Sequence, residues 1–338
     1  MMDRLALLVA MIITAFGLAP LQAEDVVFVA GARRGQPPAQ WKGQIINYTG
    51  KELELRTSLG TIKKIAAARI VKVNTPLSED HQAADAFLAQ GKHAAALARY
   101  DVAGKKDGRQ WMRRRIIAQK VWCHRALGQY DRAGGQFIIL YQSDPTTALI
   151  DCVPLAWGAE PFSRSLERQA GQWMAEGQPP IATLLGASHL LGSALRAEAL
   201  DRLGRLANDR DPNIAVLAQT QVWRSQVVTA TPQQITAWQR AIEKMPEPLC
   251  AGPYYVLGQA LARNRQFEEA ALAYLHIATL YENNLTLSAA ALLEAGGALQ
   301  ALSRNDEARD LYQQLVREHP HSQAAADARE RLGKLQIP

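Results

Sequence analysis

The sequence predicts a mainly α protein in which antiparallel helix pairs stack into a solenoid behind a small β module. Three observations carry this. Residues from about 26 to 75 contain segments alternating polar and apolar with period two, punctuated by turn residues. From about residue 78 onward, proline and glycine become sparse and fall between alanine-rich and leucine-rich stretches with helical apolar spacing. A pattern of small and aromatic residues then returns at intervals of about 37 or 38 positions, the mark of a repeat array.

The chain has 338 residues, 48% hydrophobic and 21% charged, which is enough apolar material for a substantial core. A length above about 250 residues points to several domains or an extended array rather than one spherical core. Residues 1–23 read as an export signal: Met1 to Arg4 form a short polar start, Leu5 to Ala19 run apolar, and Pro20-Leu21-Gln22-Ala23 have the look of a processing site. The mature chain is expected to begin near Glu24. The apolar run falls short of the roughly 20 residues a membrane-spanning helix needs, so no stable span is expected after processing, with a retained anchor as the alternative. No cysteine follows the site, which speaks against a lipid anchor. The expected location is the periplasm or cell envelope.

Residues 24–76 form the β module. Leu53-Glu54-Leu55-Arg56-Thr57 alternates, and Arg69-Ile70-Val71-Lys72-Val73 is a short β-rich run. Tyr48-Thr49-Gly50-Lys51 and Ser58-Leu59-Gly60-Thr61 each place a glycine where a hairpin needs positive φ, and Gln36-Pro37-Pro38 separates the first strand from Trp41. Four or five strands in so short a segment must curl or lean on a neighbour to hide their edges. The pattern Trp41-x-Gly43-x-Ile45-x-x-Tyr48-Thr49-Gly50-x-x-Leu53-x-Leu55 resembles the small SH3-like and Sm-like barrels. Such barrels bind RNA, peptides or envelope polymers, so the likeness implies no single function. Trp41 and Tyr48 fit either binding or core packing, and packing is the simpler role.

Residues 77–175 read as helix pairs. Gly91-x-x-x-x-Ala96-x-x-x-Tyr100 aligns with Gly128-x-Tyr130-x-x-Ala133-x-x-x-Phe137. Residues 249–338 carry the same signature twice, as Gly258, Leu261, Ala270 and Tyr274, then Gly296, Leu299, Ala308, Tyr312 and Pro320. On these residues the chain resembles the tetratricopeptide repeat, whose unit is two antiparallel helices crossing at small residues beside large ones. Pro145 and Pro320 fill the closing proline position of that pattern. The resemblance implies a protein or peptide partner held on the inner face of the array, and likeness to envelope assembly proteins in particular. The interval exceeds the usual repeat length, which implies longer turns. Between these blocks, residues 176–248 keep helical period without the signature. Asp211-Pro212 and Thr231-Pro232-Gln233-Gln234 are helix starts, the second in capping-box register. The run Leu200-x-x-Leu203-x-x-Leu206 leading into Asp209 and Asp211-Pro212 resembles a HEAT-type pair. Ser322 to Leu335 reads as a capping helix with Arg329, Arg331 and Lys334 near its negative end.

Chemistry is sparse. No glycine-rich phosphate loop, no His-Glu-x-x-His and no Gly-x-Ser-x-Gly elbow occurs, so neither catalytic residue, cofactor, metal nor small-molecule substrate is expected. Asp209 and Asp211 fit a helix turn better than a metal pair, and His319 and His321 fit a surface loop. Glu268-Glu269 and Asp306-Glu307 share a register at the start of a repeat's second helix and read as solvated surface, possible lining of a partner groove. Cys123, Cys152 and Cys250 are too few for a disulfide framework; a single bridge would join Cys123 to Cys152, and three buried thiols is the other reading. The net charge of +6 is uneven: residues 24–135 hold 20 lysines and arginines against 10 acids. Lys105, Lys106, Arg109, Arg113, Arg114 and Arg115 cluster around Trp111, a composition that suits nucleic acid or another polyanion. Helical spacing turns the three consecutive arginines in different directions, so a solvated face with Trp111 in the core is the competing reading. The favoured function is a non-enzymatic exported scaffold, with a polyanion-binding module or an acidic protein surface as the alternative. Asn47 and Asn284 lie in glycosylation sequons.

Overall fold

The computed structural model describes residues 24–335 apart from 32, 34 and 159–161, so the export signal expected in residues 1–23 lies outside the described residues. The described chain is mainly helical, a solenoid of helix pairs preceded by a five-stranded antiparallel sheet. Strands β1 (Asp25–Val29), β2 (Ala39–Tyr48), β3 (Glu52–Arg56), β4 (Ile62–Ala66) and β5 (Ile70–Asn74) lie in the order β4-β3-β2-β1-β5. A short 3-10 turn, Ala67–Arg69, joins the last two. Period two has its usual consequence: Val27 and Val29 of β1 and Leu53 and Leu55 of β3 point inward, while their neighbours are less buried.

Strand β2 is long because it serves two partners. Its first half pairs with β1, from Val29↔Ala39 to Asp25↔Gly43, and its second half with β3, from Gln44↔Arg56 to Tyr48↔Leu53. At the changeover a Cβ on Gly43 would stand 2.2 Å from the Arg56 carbonyl oxygen, so only glycine lets β3 approach. The two turn glycines divide. Gly60 has φ +79, the positive φ that its turn demands. Gly50 does not have positive φ, and the expectation is corrected: a Cβ there would lie 1.4 Å from the Thr146 carbonyl oxygen, so Gly50 is required by close approach to the helical array.

Fourteen α-helices follow among the described residues: α1 (Glu79–Ala89), α2 (His93–Lys106), α3 (Gln110–Ala126), α4 (Tyr130–Ser143), α5 (Arg164–Met174), α6 (Pro180–Leu190), α7 (Arg196–Leu206), α8 (Pro212–Gln226), α9 (Pro232–Ile242), α10 (Ala251–Arg263), α11 (Phe267–Leu280), α12 (Leu285–Ala301), α13 (Asn305–Glu318) and α14 (Gln323–Leu335). Their ends follow local chemistry. Asp211 caps α8 by accepting from the Asn213 N–H, and Thr231 with Gln234 closes a capping box at α9. Four pairs turn through a left-handed residue at the same place: Gly91 (φ +69), Gly128 (φ +68), Arg265 (φ +61) and Ser303 (φ +61). The last two take that conformation without glycine's freedom.

Even-numbered helices from α4 to α14 each touch the next even-numbered one, forming a single layer, while the odd-numbered helices pack between them. The array also curls back on itself. α3 lies against α12, and the 3-10 turn Ala148–Cys152 lies against the 3-10 turn Glu247–Leu249. Arg125, only 4% exposed, ties this closure by donating to the Cys152 carbonyl (3.3 Å) and to Asn284 Oδ1 (2.7 Å). Two apolar cores result. One joins the sheet to α1, α2 and α3 through Val27, Leu53, Tyr100, Met112 and their neighbours; the other runs from α3 to α14. All three cysteines are free and buried, so the Cys123–Cys152 bridge is corrected to separate thiols, in different cores. Burial pushes the Cys123 thiol up to about 12.

Candidate interaction groove

The small and aromatic residues of the repeat signature lie at the helix crossings. Ala96 and Tyr100 of α2, Ala133 and Phe137 of α4, Ala270 and Tyr274 of α11, and Ala308 and Tyr312 of α13 are each at most 1% exposed. A Cβ on Gly258 would sit 2.7 Å from the Tyr274 ring, and one on Gly296 would sit 2.3 Å from the Tyr312 ring. Leu261 and Leu299 are buried beside them. Pro320 is exposed in the α13–α14 turn, where its carbonyl accepts from Arg329. Arg331, expected near the negative end of α14, instead reaches across to the Leu293 carbonyl and the Tyr312 hydroxyl.

The basic cluster is dispersed into structural bonds. Arg114 is 5% exposed and donates to Asn47 Oδ1, the Tyr48 carbonyl and the Ser143 carbonyl, fastening the β2–β3 turn to α3 and α4. That position corrects its place in a solvent-facing patch. Arg109 is bonded to Asp107, Thr75 and the Pro76 carbonyl, Arg113 to the Asp107 carbonyl, and Lys106 to Asp80 at 2.8 Å. Lys105 is exposed and Arg115 half-buried, outside those bonds. Trp111 is core, 4% exposed and 6.5 Å from the Tyr48 ring. Burial opposes ionisation of Asp107, but its bonds to Arg109 prevail and hold the carboxyl below the usual range.

The other candidates have plain roles. Asp211 also accepts from the Tyr141 hydroxyl, and Asp209 accepts from the Asp211 N–H. Glu268, Glu269, Asp306 and Glu307 stand exposed at the N-terminal ends of α11 and α13, where the helix dipole favours acids. His319 is half-buried and His321 exposed in the final turn. Both sequon asparagines are engaged: Asn47 with Arg114 and Asn284 with Arg125. Among the described residues no group of three or more metal-ligating side chains assembles.

What the structure does assemble is a groove on the even-numbered layer. Residues 153–157, after the 3-10 turn, run without helix or strand and are nonetheless buried. They lie across α6, α8 and α10. The Ala156 N–H donates to Ser188 Oγ (3.0 Å), Ser188 donates to Gln221 Oε1 (3.0 Å), and Gln221 Nε2 returns to the Ala156 carbonyl (3.1 Å). Arg224 donates to the same carbonyl (2.7 Å), and the His189 ring Nε2 meets the Pro154 carbonyl (2.9 Å). Ser188 and Gln221 are completely buried polar side chains, which are tolerated only when their hydrogen-bonding capacity is met. Here a peptide backbone meets it. Trp157 covers Gly252, where a Cβ would stand 2.0 Å from the indole. Trp157 and Gly158 also line a cleft of about 580 Å³, whose other walls include Arg224, Val228, Gln259, Arg263 and Glu294.

Sequence reading missed these residues. The available signal was a polar pair, Ser188-His189, near the end of the mainly apolar α6, and Gln221 and Arg224 one turn apart on α8.

Comparison with known families agrees with this architecture over one stretch. A tetratricopeptide repeat model matches residues 290–322, which comprise most of α12, all of α13 and the turn after it. A search of curated proteins finds no match. The fold is therefore that of a helical-repeat solenoid, a class built to hold protein partners.

Proposed function

We propose that this protein is a non-enzymatic, exported scaffold of the cell envelope that holds a partner's extended segment in the groove of its even-numbered helices. One observation carries the reading: a peptide already lies there, its backbone clamped by buried Ser188 and Gln221, and an open cleft borders it. Recognition of backbone rather than side chains suits a partner in extended conformation. The open part offers both apolar wall, from Val227, Val228 and Ala262, and polar contacts, from Gln259, Arg263 and Glu294. Export rests on residues 1–23, and an SH3-like identity for the sheet rests on its strand order with a 3-10 turn before the last strand.

Affinity capture from envelope extract of the source cells tests this, with wild type beside a Val228→Arg/Gln259→Arg variant of unchanged circular dichroism. The expected result is a partner retained by wild type at 1 M salt and lost from the variant. Capture that ignores the variant and vanishes with salt would transfer the function to the exposed cations, Lys105, Lys106 and Arg113. N-terminal sequencing of the mature protein checks for processing near Ala23.

A further inference from the structure

We propose that residues 153–158 are a resident ligand of this groove, held in cis, which a partner segment of the same chemistry must displace. The proposal rests on the scaffold reading and adds to it the partner's chemistry and a means of control. The partner segment is extended and apolar, with leucine, a small residue, a large aromatic and glycine in that order, as in Leu155-Ala156-Trp157-Gly158.

Val153, Leu155 and Trp157 belong to the larger apolar core, and three features mark the segment within it as a seated ligand. Residues 153–156 make one backbone bond, the local Val153 N–H to the Ile150 carbonyl, and reach the helices through side chains of the groove. A clamp made by side chains on one residue's N–H and C=O reads any peptide, because those two groups are common to all residues except proline. Second, the receiving surface is shaped for the aromatic: Gly252 removes the one Cβ that would strike the indole. Third, an open cleft borders the resident at Trp157 and Gly158, so a segment bound in it competes for Gly252, then for Ser188 and Gln221.

The test uses the full-length chain and an acetylated, amidated peptide of residues 153–158, carrying a fluorophore for binding. Hydrogen exchange on wild type is expected to show the Ala156 amide exchanging at least about tenfold faster than the central amides of α8 and α10, so that the resident leaves without global unfolding. Trp157→Ser empties the space facing Gly252; the peptide is expected to bind this variant at least about tenfold more tightly than wild type, a difference near 1.4 kcal/mol. Adding Gly252→Leu refills that space and is expected to abolish the gain. Exchange of Ala156 in one cooperative step with α8 and α10 overturns the proposal, as does equal peptide affinity for wild type and Trp157→Ser. Should Trp157→Ser fail to fold, the exchange measurement on wild type decides alone. A fixed resident would still leave the open cleft to a partner, so this failure is separable from failure of the scaffold reading, which the cleft variant measures.

Discussion

Gly134 and Gly135 are neighbours on α4, yet alanine at the two positions is expected to act with opposite sign. In a helix interior either change gains about 0.8–1 kcal/mol from backbone propensity alone. That gain is common to both and cancels in their difference. What differs is the space outside. A Cβ on Gly134 would stand 2.2, 2.7 and 2.9 Å from three atoms of the Trp173 ring, whereas one on Gly135 meets nothing within 4 Å. Ordinary contact begins near 3.4 Å, so the indole must retreat by more than an ångström, and at 6% exposure it has little room. Overpacking of this kind costs about 1–3 kcal/mol. Gly135→Ala should therefore be more stable than wild type by up to about 1 kcal/mol, and less stable Gly134→Ala should lie about 1–3 kcal/mol below Gly135→Ala. Urea unfolding followed by tryptophan fluorescence reads the order directly, since a slope of about 2 kcal/mol per molar turns that difference into roughly 0.5–1.5 M between midpoints. A Gly134→Ala midpoint equal to or above that of Gly135→Ala would refute the reasoning from helix crossing distance.

Ser303→Gly should raise stability by about 0.5–1 kcal/mol, because glycine takes the left-handed turn without a Cβ penalty, and an unchanged urea midpoint would contradict the turn geometry. Arg114→Met should cost about 2–3 kcal/mol by removing charge-assisted bonds to the β2–β3 turn and to Ser143, while Arg113→Met stays within about 0.5 kcal/mol; equal losses would deny Arg114 its role as fastener. Burial pushes the Glu294 carboxyl above its usual range despite Arg331 and Arg263. The neutral form is thus favoured on folding, and its stabilising contribution is full at acid pH and lost as pH rises through the raised value. Glu294→Gln should match wild type near pH 4 and exceed it in melting temperature at pH 7; a gap that opens towards acid instead would reverse the sign.

The solenoid was legible because its signals are local and repeated. Ala270 with Tyr274 and Ala308 with Tyr312 recur at one interval, and the caps at Asp211 and Thr231 are written within four residues. The groove was not legible, since Ser188, Gln221 and Ala156 are brought together from three separated segments, and nothing periodic marks an extended stretch as buried. Charge misled for a related reason. Lys105 through Arg115 is a dense run of cations in sequence, but Asp80, Asp107, Asn47 and Ser143 each claim one of its members in the folded chain. Composition counts charges and cannot count their partners. Gly50 is the same lesson in steric form: its turn is local, but the oxygen that excludes a side chain belongs to Thr146.

The bond from Arg125 to Asn284 spans 159 positions of sequence. Stacked repeats ordinarily assemble as a zipper, each pair stabilised only by those beside it, so that fragments persist and unfolding frays from the tips. A seam between α3 and α12 breaks that locality. During folding the guanidinium must wait in water until the far half has formed, which places ring closure late and makes the chain slower to mature than an open array of equal length. Once closed, the two halves stand or fall together, and loss of the last helices would be felt at α3.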